Sequence, residues 1–224
     1  MNPIIITITG PTCSGKTTLE KKLHEEYGFE RATSHTTRQK RVGEAQGESY
    51  YFVTRGQFEE MARRGDFLEA IEFNGHMYGM SIAEIEKRAK TGIPIVIVCE
   101  PNGTGQISRR CFEEGWRHIS VWVDADIETL CERFITRVAF DAQEKGINVA
   151  ANAQRMVAMM TEEREWVRNR LLESDYDITE DNLNEGTMPR VISKILFESG
   201  MYDKTAVFAP LGVTKTGSVK VTEN

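Results

Sequence analysis

TGPTCSGKTTLEKKL, residues 9–23, decides the reading of this chain. It follows PIIITI, a short β-branched run bounded by Pro and Gly, which reads as a buried strand. It leads into SGKTTLEKKLHEEYG, which has helical spacing and stops at Gly28. Between them, Gly10 to Thr17 fits the pattern G-x-x-x-x-G-K-S/T. A polyphosphate needs several donors converging from one side, and backbone N–H groups at a helix start supply them. Gly10 and Gly15 allow a tight wrap, and Thr12, Cys13, Ser14 and Thr18 complete the candidate cradle. Lys16 reaches the β- and γ-phosphates, and the Thr17 hydroxyl is placed to ligate Mg²⁺.

The remaining chain has the alternation that such a loop requires. IPIVIVC and HISVWV read as further buried strands, and YDIT as a short last one. DIETLCERFITRV, NAQRMVAMMTEEREWVRNRLL and GTMPRVISKILFES read as helices, the last with Pro189 in its first turn. Strands alternating with helices predict an α/β fold: a parallel sheet flanked by helices, of the P-loop NTPase type. Glu100 ends the strand IPIVIVC beside the loop, where its carboxylate can hold Mg²⁺ through water.

Residues 33–89 differ, with more aromatic and charged residues and shorter strands (YYFV and FLEAIEF around the helix GQFEEMARRG, then the Ser-capped helix SIAEIEKRAKTG). They read as an insertion. FDAQEKGINVAAN reads as a mobile loop between two helices. The segment after 199 is weakly alternating and stays open between a hairpin, an interface arm and disorder.

The 224 residues suffice for one sizeable core with a small inserted subdomain. A net charge of −6 argues against a nucleic-acid partner, so any polyanion must be held by local Arg and Lys clusters. No apolar run is long enough to span a membrane, and the start lacks a basic leader. Cys13, Cys99, Cys111 and Cys131 show no metal-type spacing and suit free thiols in a reducing, cytoplasmic setting. Cys13 is either a small side chain fitting a tight loop or an oxidisable thiol.

SHTTRQKRVGEAQGESYYFV opens the insertion. Arg38 and Arg41, with Tyr50 after them, suit a second phosphate through guanidinium forks. Taken alone, the pair reads more readily as a solvated basic turn.

This stretch, FLEAIEFNGHMYG and the loop together resemble the guanylate kinases, which move the γ-phosphate of ATP to GMP or dGMP. The resemblance runs from about residue 4 to residue 196 and is dense up to Gly79. It implies a core of residues 1–32 and 90–199 and a nucleoside-monophosphate-binding subdomain of residues 33–89. It also implies a lid at about 133–156, and leaves 200–224 as a tail without a role. Arg38, Arg41, Tyr50 and Tyr78 match the holders of the acceptor phosphate, and Glu44 the acid in the Arg-rich turn. Ser34 and Glu69 match the base readers. Arg133 and Arg137 match lid arginines, and Arg155 an arginine that reaches both phosphates. With Lys16 these arginines, Arg41 included, are the implied catalytic set, acting with Mg²⁺ and ATP on a small nucleotide in a monomer or homodimer.

The departures fall around the acceptor base and the lid. Met80 stands where the family has a hydroxyl facing guanine O6, and VCEPNG replaces an acidic motif, leaving Glu100 with a longer arm beside the pocket. The chain is longer between Arg137 and Arg155, and Glu180 replaces an Asn. The expectation is weaker guanine selectivity, or another deoxy- or modified-base monophosphate as acceptor. The reading from another class is a non-catalytic guanylate-kinase-like binding module. Such modules typically lack a working phosphate loop.

Overall fold

A computed structural model describes residues 2–40, 43–73, 75–170, 176–181 and 183–201. Among these, the side chains of residues 73, 145, 155, 159, 162 and 164–170 are not described. The first half of the chain runs β1 (Ile4–Thr9), α1 (Lys16–Tyr27), β2 (Glu30–Arg31), β3 (His35–Thr36), β4 (Tyr51–Phe52), α2 (Arg55–Arg64), β5 (Phe67–Phe73), β6 (His76–Ser81) and α3 (Ile82–Ala89). The second half runs β7 (Ile95–Val98), α4 (Pro101–Glu114), β8 (Arg117–Val123), α5 (Ile127–Lys145), α6 (Val149–Arg170), β9 (Ile178–Glu180) and α7 (Met188–Ser199).

The main sheet has five parallel strands in the order β2-β7-β1-β8-β9. β1 lies between two partners and is covered on both faces, which is why its sequence is almost continuously apolar. Alternate residues point to opposite sides. Ile6 and Ile8 pack with Leu19, Leu23 and Ile195 under α1 and α7. Ile5, Ile95 and Ile97 pack with Ile85, Ile107 and Met80 on the other face. The polar residues of β1 are paired where they are buried: Thr7 Oγ1 lies 3.0 Å from His118 Nε2 and Thr9 Oγ1 2.6 Å from Thr104 Oγ1.

A second sheet, β4-β3-β6-β5, is built from residues between 35 and 81. Gly79 lets β6 cross the ring pair Phe58–Phe67, because a Cβ there would stand 2.9 Å from both rings.

The structure corrects the reading of FDAQEKGINVAAN as a loop. α5 continues to Lys145 and α6 starts at Val149, so three residues join them. The polar composition that suggested a loop is used inside the hairpin: Asn152 donates to Asp141 Oδ2 at 3.2 Å, and both are buried. α4 and β6 carry too weak a local signal to be read from the sequence. Pro101, Gly103 and Gly105 depress the helix propensity of α4. It forms against β5, where Gln106 accepts from the Ala70 N–H at 3.1 Å and donates to the Ala70 carbonyl at 3.3 Å. Of the segment after 199 left open above, residues 202–224 lie outside the described residues.

Among the described residues no helix is long and apolar enough to cross a membrane. All four cysteines are free.

Candidate functional site

The loop after β1 begins with a steric constraint. A Cβ on Gly10 would stand 1.8 Å from the Val123 carbonyl oxygen, so the backbone passes directly over the end of β8. Cys13 follows in the left-handed region at φ 68°, the one described non-glycine residue with positive φ. The turn closes with Ser14 N–H donating to the Pro11 carbonyl at 3.1 Å. Gly15, at φ 103°, then starts α1 with no side-chain cap, which leaves the first helical amides for a ligand. The Ser14 hydroxyl is buried without a hydrogen-bond partner among the described residues.

Lys16 folds back over the loop, donating to the Gly10 carbonyl at 2.8 Å and the Pro11 carbonyl at 2.7 Å. Burial holds its pKa below the ordinary lysine value, with the Glu163 carboxylate pulling the other way. Burial likewise raises the Cys13 thiol pKa, against the nearby Arg137 and Lys16 charges. A thiol so placed is mostly protonated at neutral pH and a weak nucleophile, so the small-side-chain reading of Cys13 is favoured.

The loop opens into a cleft of about 670 Å³. Thr12, Cys13, Gly15, Lys16, Thr17 and Thr18 line one end. Ser34, Tyr50, Glu69, Tyr78 and Glu100 line the other. Arg133 and Arg137 reach it from α5. The parallel pairing of β1 with β7 sets Ile8 against Val98 and so brings Glu100 beside the loop.

Glu69 is 5% exposed, and its Oε2 has no hydrogen-bond partner among the described residues. Burial raises its pKa from 4.5 to about 7; the Met80 backbone N–H opposes the shift, and Glu100 adds to it. A Cβ at Gly103 would lie 3.4 Å from Oε2, so the glycine of α4 makes room for this carboxylate. Gln106 on the same helix holds the adjacent Ala70, fixing β5 in place.

Arg38 is engaged with Glu44 in two hydrogen bonds of 3.0 and 2.7 Å. Its guanidinium stands 5.4 Å from the Tyr50 ring centre, and the Tyr50 and Tyr78 rings are 6.0 Å apart. Tyr50 and Tyr78 line the cleft, and Arg38, paired with Glu44, packs against Tyr50. Arg41 and the Arg155 side chain lie outside the described residues.

One sequence expectation about the site needs correction. Met80 does not line the cleft: its side chain is fully buried in the core with Leu68, Ile85 and Ile107. Its backbone, not its thioether, faces Glu69. Met80→Ser should therefore cost about 3 kcal/mol of stability and leave acceptor preference nearly unchanged. Thermal unfolding with an acceptor panel checks this, and an altered panel at unchanged Tm would place the side chain in the cleft. Arg133 lines the cleft and also braces it. Its guanidinium donates to the Cys13 carbonyl at 3.2 Å and the Leu183 carbonyl at 2.6 Å, tying α5 to the loop as a strut.

Sequence reasoning missed Glu163. It lies on α6, lines the cleft and touches the loop itself. Nothing in the residues around it distinguishes it from the other charges of that helix.

The family model for guanylate kinase matches residues 1–187. The chain belongs to the guanylate kinase family. A guanylate kinase of Legionella pneumophila (strain Paris) is 38% identical over 132 residues, covering 58% of this chain and 61% of the relative. One of Nostoc sp. is 41% identical over 119 residues, covering 50% and 58%. These alignments thus span about three fifths of each curated guanylate kinase. The crystal structure of guanylate kinase from Anaplasma phagocytophilum is similar in fold, with a TM-score of 0.56 and 20% identity over 88% of this chain and 87% of that one.

Proposed function

We propose that this guanylate kinase family member transfers the γ-phosphoryl group of ATP to GMP or dGMP. The observation that carries the reading is the buried Glu69 carboxylate, with one oxygen unpartnered among the described residues, in the same cleft as Lys16 of the phosphate loop. A purine edge with N1–H and a 2-amino group satisfies that oxygen, and Ser34 lies in the same cleft for O6. Tyr50, Tyr78, Arg38 and Arg41 hold the acceptor phosphate. Lys16, Arg137 and Arg155 gather the donor phosphates, and Arg133 holds the loop they meet. Catalysis comes from positioning and charge stabilisation, so no side-chain nucleophile is required.

Thr17 and Glu100 both line the cleft and offer hard oxygen donors that fit Mg²⁺, Glu100 through water. Among the described residues no cluster of three or more His, Cys, Asp or Glu side chains could hold a metal alone, so most of its ligands would come from phosphates and water. The ion would neutralise charge on the transferring group. Four free thiols support a reducing, cytoplasmic location.

The test is ADP release with ATP against a panel of ribo-, deoxyribo- and modified monophosphates. GMP or dGMP should lead the panel. Preference for a monophosphate lacking the N1–H and 2-amino edge would instead favour another acceptor, a reading the departure at Glu100 keeps in play. ADP release that no monophosphate stimulates would point to the binding-module reading, which the intact Gly10, Gly15, Lys16 and Thr17 disfavour.

The Glu69 carboxyl supplies a pH signature. With its pKa near 7 in the empty protein, it is mostly protonated at pH 6 and ionised at pH 8. The carboxylate form accepts from the base, so the acceptor KM should be about tenfold higher at pH 6 than at pH 8. Glu69→Gln should raise KM at pH 8 and flatten that dependence, while ATP affinity holds. Since folding raises this pKa from 4.5, the group's contribution to stability is present at low pH and lost as pH rises through about 7.

A further inference from the structure

Glu163 reaches into the phosphate loop from α6. Its Oε2 accepts the Thr12 backbone N–H at 2.5 Å, and its Oε1 accepts the Thr12 hydroxyl at 2.7 Å. The side chain comes from 151 positions along the chain and is buried. A carboxylate gripped by a loop amide and a loop hydroxyl makes the short, charge-assisted contacts that a phosphate oxygen would make. It lines the same cleft as Lys16 and Arg137, the cations that would gather donor phosphates. A triphosphate arriving there meets a like charge already seated on one of its donors. In a site shielded from water that repulsion is weakly screened.

We propose that Glu163 is an internal occupant of the phosphate loop, which the donor triphosphate must displace. This rests on the loop being the ATP site. Displacement couples donor binding to the α5–α6 hairpin. α6 carries Glu163, α5 carries Arg133 and Arg137, and the buried Asp141–Asn152 contact joins the two helices near the turn. The Glu163 contacts with Thr12 therefore tether α6 to the loop. Donor binding releases that tether and frees α6 to move with the lid arginines. The cost appears as reduced affinity for the donor, while the acceptor end of the cleft is unaffected.

The experiment measures binding of MgATP, inorganic tripolyphosphate and GMP to wild type, Glu163→Gln and Glu163→Ala, with thermal unfolding of each. Removing one charge-assisted competitor should tighten MgATP and tripolyphosphate roughly tenfold in Glu163→Ala. Glu163→Gln keeps an acceptor without the charge and should fall between, and it remains informative if the alanine variant unfolds. GMP affinity should not change. Unchanged or weaker polyphosphate binding in the folded variants would overturn the proposal, since Glu163 would then only shape the loop. Tighter tripolyphosphate binding in a protein with no phosphoryl transfer would keep the displacement and remove the kinase reading.

Discussion

Lys16→Ala should lower kcat by three orders of magnitude or more, on the scale of losing a principal charge stabiliser in phosphoryl transfer (about 10³). Among the described residues the amine's hydrogen-bond partners are the carbonyls of Gly10 and Pro11, and both belong to the loop it serves. Its loss removes two hydrogen bonds and also relieves the burial that holds its pKa down. These oppose one another in stability, so Tm should shift by no more than about 4 °C, the scale of roughly 1 kcal/mol in a chain of this size. A steady-state assay beside a melting curve checks both halves. Near-normal turnover in this variant would remove the kinase reading.

Gly10→Ala should damage the fold where Lys16→Ala damages the chemistry. The new methyl would lie 1.8 Å from the Val123 carbonyl oxygen, inside any possible contact distance. Neither side yields cheaply, because Gly10 directly follows the central strand β1 and Val123 ends its neighbour β8. The loop must lift away from the sheet or the two strands must part. We expect a loss of about 3 kcal/mol or more, a fall in Tm of about 6–12 °C, and ATP binding reduced beyond measurement. Gly105→Ala is the matched control. Gly105 is helical, with nothing within 4 Å of the added methyl, and should gain about 0.5–1 kcal/mol. Similar melting temperatures for the two variants would show that the loop does not rest on β8.

How legible each part was depends on the range of the interactions behind it. The phosphate loop is a contiguous segment whose requirements are met by its own residues: glycine where the backbone is crowded, lysine at the helix start, apolar β-branched residues before it. α1, α2 and α7 likewise carry their periodicity and end signals locally, and α2 has a complete capping box at Thr54 and Gln57. α4 does not. With Pro101, Gly103 and Gly105 it is a poor helix in isolation, and its room for Glu69 at Gly103 is visible only once β5 lies against it. The α5–α6 turn misleads for a related reason. Asp141 and Asn152 read as loop residues, yet they satisfy each other in the interior of the hairpin.

The sequence by itself determined the class of chemistry: a strand, a glycine loop and a lysine-tipped helix, with an Arg-rich insertion resembling a nucleotide-acceptor site. These are local patterns, because backbone amides and neighbouring side chains within a few residues make the phosphate cradle. Only the tertiary structure decided which side chains meet in the cleft. It set the Met80 thioether into the core, left an oxygen of Glu69 buried without a partner among the described residues, tied Arg133 to the loop it reaches and brought Glu163 onto Thr12. Each of these depends on which face an element buries and what packs across from it. A residue's own neighbours in sequence carry almost no record of contacts made across more than a hundred positions.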